Sequence, residues 1–86
     1  MTYEPMIDDI FMDCDGDYCK VTDINMEDKR VTFVYDRILE NVKSGNIKKR
    51  PEIIHLQSLI DKIEEKNNDW KLLEKGQVNN WRTYLQ

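Results

Sequence analysis

Apolar and polar positions along this chain alternate with two different periods. Pro5 can open a helix, because its missing N–H would be unpaired in the first turn anyway. After it, Met6, Ile7, Ile10 and Phe11 fall at helical spacing, which predicts a first helix with Asp8, Asp9 and Asp13 on its other side. The run Asp13-Cys14-Asp15-Gly16-Asp17 ends that helix, with Gly16 free to take a positive φ. From Tyr18 to Ile24 the period drops to two, with Cys19 and Val21 on one side and Lys20 and Thr22 on the other. Asn25 to Lys29 reads as a turn. Val31-Thr32-Phe33-Val34-Tyr35 is wholly β-branched or aromatic, the strongest strand signal in the chain. The two runs predict an antiparallel hairpin over 18–35, which must pack on helices or a third strand to be stable in water.

Beyond the hairpin the pattern reads as helical. Asp36 is placed to cap a short helix over 36–44 that carries Ile38, Leu39 and Val42 and closes at Gly45. A polar, basic connector follows from Asn46 to Arg50. Pro51 then opens the longest predicted helix, 51–67, where Ile53, Leu56, Ile60 and Ile63 form an apolar stripe widened by Ile54 and Leu59. Asp69 would cap a segment over 69–75 bearing Trp70, Leu72 and Leu73, stopped at Gly76. Trp81 and Leu85, one helical turn apart, predict a last helix over 78–85. The expected fold class is α+β: one small single domain over 1–86, an antiparallel β-hairpin packed against four or five mostly short helices. The alternative is a small barrel-like sheet that recruits a third strand near residues 46–50.

Length narrows the function. Eighty-six residues sustain one core, which excludes a dinucleotide-binding domain, a barrel enzyme or a protease with its own deep cleft. No run approaches the ~18 apolar residues of a membrane span. The acidic start Met-Thr-Tyr-Glu-Pro lacks the basic and apolar layout of a signal peptide. A cytoplasmic setting is therefore expected, where Cys14 and Cys19 would remain thiols. The net charge of −4 conceals a split: residues 1–36 hold ten acids against three bases, and residues 37–86 hold seven against ten. Such an asymmetry suits an interaction surface.

Candidate chemistry is thin. An EF-hand counted from Asp13 would need Gly at position 6 and Glu at position 12, and finds Tyr18 and Ile24 there. The run is loosely similar to the DxDxDG calcium loop of secreted bacterial domains but lacks a DG step, and an acidic, Gly-containing turn is ordinary turn chemistry. Cys14 and Cys19 with a lone His55 leave zinc without a second ligand pair. No metal and no cofactor are expected. One histidine gives no nucleophile–base–orienter set, and the carboxylates lie in polar runs, so an enzyme is not expected either.

Three surfaces carry functional expectations. Asp8, Asp9, Asp13, Asp15 and Asp17 form a candidate acidic face that would imitate a row of phosphates and draw in a basic groove. In composition this resembles the small acidic inhibitors, phage-encoded ones among them. The favoured function is thus a non-enzymatic protein-binding module, a small acidic regulator or inhibitor that docks on a larger, partly basic partner such as a nucleic-acid-handling protein. Lys43, Lys48, Lys49 and Arg50 are candidate phosphate contacts ahead of the predicted 51–67 helix, and favour a nucleic-acid-associated accessory protein instead. Trp70 and Trp81 are candidate interface aromatics for a structural subunit, and the apolar C-terminal helices point to a homodimer or a partner groove.

Overall fold

A computed structural model describes residues 3–64 and 70–76. In chain order its elements are β1 (Ile10–Met12), β2 (Tyr18–Asn25), β3 (Arg30–Asp36), α1 (Leu39–Ser44), β4 (Glu52–His55), α2 (Leu56–Glu64) and β5 (Lys71–Glu74). The strands form one sheet in the order β4-β3-β2-β1-β5, with every neighbouring pair antiparallel. The β2–β3 hairpin is its centre, running from Tyr18↔Asp36 to Asn25↔Arg30 with a register slip between Val21 and Asp23. No helix among the described residues is long and apolar enough to cross a membrane.

Strand alternation sends Phe11, Cys19, Val21, Val31 and Phe33 to one face, where Leu59 of α2 completes a buried cluster. Aromatic rings bind that cluster together. Trp70 stacks on Phe11 with centroids 5.2 Å apart, and Phe11 meets Phe33 edge-on at 5.6 Å. Ile10 and Val42 are buried outside this cluster, and α1 packs against β2 and β3.

The architecture corrects the expectation of one hairpin under four or five helices: five strands and two helices are present among the described residues, although the α+β class broadly fits. The predicted first helix is absent because Asp9 does not face water. It is fully buried, and its carboxylate accepts hydrogen bonds from the Met6 N–H (2.8 Å), the Tyr3 hydroxyl (2.7 Å), the Gly76 N–H (2.6 Å) and the Lys75 ammonium (3.3 Å). Side-chain capture of the Met6 N–H and a left-handed Asp8 (φ 74°) turn the chain away from helix and into β1.

The predicted 51–67 helix loses its first turn to β4. Ile53 and Ile54 are β-branched, so they suit either period locally, and pairing of Ile54 with Val31 decides for strand. The third strand therefore lies at 52–55 and not near 46–50. The helix starts at Leu56, whose N–H donates to the Lys29 carbonyl at 2.8 Å. The predicted 69–75 helix is strand β5, with Leu72 opposite Phe11, because so short a helix is marginal alone while an edge position supplies ladder bonds. Residues 36–44 do hold a helix, shortened to α1 and ended by a left-handed Gly45 (φ 85°), but Asp36 is the last residue of β3 and the cap position falls to Ile38, which makes no side-chain cap bond. Asp36 Oδ1 accepts from the Ile38 N–H at 2.8 Å, a bond that holds its carboxyl below the usual carboxylate range. The expected 78–85 helix lies outside the described residues.

Two substitutions test the Asp9 linkage. Asp9→Ala strips four donors of their acceptor and should lower stability by about 3–5 kcal/mol in urea melts. Gly76→Ala would set a Cβ 2.0 Å from the Ile7 carbonyl oxygen, a backbone atom that cannot swing aside as a side chain can, and should cost at least about 1–3 kcal/mol. Changes below about 0.5 kcal/mol in both would contradict this assignment.

Candidate functional site

The β1–β2 connection is shaped by one of its own aspartates. Asp13 Oδ1 accepts the N–H groups of Asp15 (2.9 Å) and Asp17 (3.0 Å), and the Asp13 carbonyl accepts that of Gly16 (3.1 Å), which is left-handed at φ 86°. The carboxylate of Asp13 is thereby committed to the turn, and it fixes where Asp15 and Asp17 sit. Asp15 is exposed. Asp17 is largely covered, and its Oδ1 is buried without a hydrogen-bond donor among the described residues. The Arg37 Nε approaches that oxygen at 3.8 Å, an ion pair too long for a hydrogen bond. An unmet buried acceptor is costly and is uncommon away from working sites.

This turn walls a cleft of about 350 Å³. Carboxylates come from Asp13, Asp15 and Asp17 on the turn and from Glu52 on β4. The rings come from Phe33 and Tyr35 on β3 and from Trp70, just ahead of β5. Phe33 meets Tyr35 and Trp70 at 6.4 Å each, with interplanar angles of 56° and 76°, so the rings form a corner and not a stack. Cations already lean on these rings: Lys49 Nζ lies 5.2 Å from the Tyr35 centroid and Lys62 Nζ 5.1 Å from that of Trp70. Lys49, Lys62 and Arg37 are all exposed, on long side chains free to move aside.

The proposed acidic face is not continuous. Asp13, Asp15 and Asp17 share the cleft, whereas Asp9 is withdrawn into the interior and Asp8 sits at the other end of β1. There Asp8 lines a separate cleft of about 300 Å³ with Lys20, Lys43 and Lys75. Both corrections follow from the missing first helix, which would have set Asp8 and Asp9 on one side with Asp13. The basic set is likewise dispersed. Lys43 pairs with Glu74 at 3.2 Å, and Lys48, Lys49 and Arg50 are exposed on the way to β4, with no helix N-terminus behind them. Trp70 is half-buried in the core, and Trp81 lies outside the described residues.

The sequence pattern does not by itself single out Phe33, Tyr35 or Glu52 as site residues. Strand alternation already placed Phe33 and Tyr35 on one face, but Glu52 is recognisable only once residues 52–55 are seen as strand. Among the described residues, no three His, Cys, Asp or Glu side chains are grouped to hold a metal ion. No known protein family, curated protein or solved structure matches the chain.

The two thiols are in opposite environments. Cys14 is exposed on the turn, and Cys19 is buried beneath it. Burial first, then the Asp13 and Asp17 carboxylates, push the Cys19 thiol far above its ordinary range. Since the thiolate is the reactive form, a thiol–disulfide reagent at pH 8 should label Cys14 promptly and Cys19 only after unfolding. Equal rates in the folded protein would contradict this burial.

Proposed function

We propose that the protein is a non-enzymatic binding module that recognises a basic protein segment by taking a cationic side chain into the cleft beside the β1–β2 turn. The observation that carries this reading is the meeting of carboxylates held on a fixed turn with an aromatic corner. An aromatic floor attracts a cation through its ring quadrupole, and partial exclusion of water strengthens the carboxylate attraction beside it. Lys49 and Lys62 support the same chemistry, because their ammonium groups rest on two of these rings. A guest would displace them.

The acid excess of residues 1–36 suits such a role, since it steers a basic partner toward the surface and speeds encounter. A small cytoplasmic regulator or inhibitor of a larger, partly basic protein is the function this implies. The rival is phosphate contact through Lys48, Lys49 and Arg50, and Lys49 separates the two by sign. Calorimetric titration with an arginine- and lysine-rich peptide should show Lys49→Ala binding more tightly, because a competing ammonium is gone. The double variant Asp15→Lys, Glu52→Lys should bind at least about tenfold more weakly with its fold intact. Unchanged binding by that double variant, or weaker binding by Lys49→Ala, would overturn the reading.

A further inference from the structure

Resting on that reading, we infer that the guest is an extended basic segment that adds as a strand along the outer edge of β4, and that it alternates basic with apolar side chains. β4 ends the sheet, and among the described residues no strand pairs with its outer side. Its backbone groups on that side can therefore form the ladder an added strand requires. The cleft reaches β4 on the core face of the sheet, where Glu52 and Ile54 line it beside Phe33 and Tyr35 of β3, one strand in from this edge.

The register sets the pattern of the guest. Glu52 pairs with Phe33 and Ile54 with Val31, so both lie on the core side of the sheet, where the cleft's rings are. Ile53 pairs with Thr32 on the opposite side and is 63% exposed, the most exposed large hydrophobic residue described. In a strand laid beside β4, side chains next to Glu52 and Ile54 turn to the cleft and the one next to Ile53 turns outward. Charge favours a base at the first positions, and exposed apolar surface favours an aliphatic residue at the second. Lys49, leaning on Tyr35, marks where the end of the guest's basic side chain comes to rest.

The other edge does not suit the same guest. The carboxylate that β5 offers, Glu74, is already paired with Lys43 at 3.2 Å, and Lys71 and Lys75 flank it. Pro51, immediately before β4, and the four-residue length of the strand confine pairing to a short stretch. That confinement also guards the edge against open-ended self-pairing.

A capped seven-residue peptide of alternating arginine and valine tests the inference with the intact chain. Backbone N-methylation is placed on the arginines in one version and on the valines in another, and a third replaces arginine by uncharged citrulline. In a strand, alternate N–H groups face the neighbour, so one methylated version should lose at least about tenfold in affinity while the other binds as the parent does. Equal affinities for the two methylated versions would overturn strand addition while leaving the cation reading standing, provided the citrulline peptide binds weakly. A citrulline peptide that binds as tightly as the parent would remove the cation reading itself.

Discussion

Removing a carboxylate from water costs several kcal/mol unless donors surround it, and at Asp9 they come from both ends of the described chain. Tyr3 and Met6 approach from one side of the sequence and Lys75 and Gly76 from the other. The Lys75 ammonium also donates to the Glu4 carbonyl and lies over the Tyr3 ring at 4.9 Å, so a single cation serves three partners. The Tyr3 N–H in turn donates to Glu64 at the end of α2. Tyr3 is correspondingly held in its neutral form, its hydroxyl pushed well above the usual range by burial and by the Asp9 carboxylate. These contacts hold β5 against β1, and β5 in turn holds Trp70 over Phe11. The aromatic corner of the cleft thus depends on an acid placed at the far end of β1.

Two aspartates of similar sequence context are put to opposite uses in this way. Asp9 has its donors within the fold and serves the fold. Asp13 spends one oxygen on the turn and positions Asp15 and Asp17, whose own carboxylates make no such commitment. The cleft inherits a negative charge that is anchored to backbone, whereas the cations at its rim are anchored only through flexible stems. That difference in stiffness favours replacement of the rim cations by a guest, because the ring contact that an exposed lysine gives up is remade by the guest's own cation.

The parts of this fold that sequence discloses are those where local preference and tertiary pairing agree. Val31 to Tyr35 is β-branched or aromatic throughout, and it is a central strand. Gly45 stops a helix and adopts the left-handed conformation that such a stop requires. Disagreement begins where a segment satisfies two periods. Ile53, Ile54, Leu56 and Leu59 make a credible helical stripe, yet Ile53 and Ile54 also make a credible edge strand, and only Val31 across the sheet decides between them. Asp9 was illegible for a different reason. No local pattern announces that a charge will be buried, because its donors lie as many as 67 residues away. The acidic turn was visible as a cluster, but its chemistry depends on rings that β3 and β5 deliver from elsewhere.

The most direct test of a cation-binding cleft is residue-level mapping by nuclear magnetic resonance of the isotopically labelled chain, titrated with an arginine-rich peptide and separately with inorganic phosphate. The account predicts saturable shifts with the peptide at Asp15, Asp17, Tyr35, Glu52 and the Trp70 indole, all weakened by salt, and little response to phosphate. Shifts confined to Lys48, Lys49 and Arg50 with phosphate, and none around the cleft with the peptide, would contradict it.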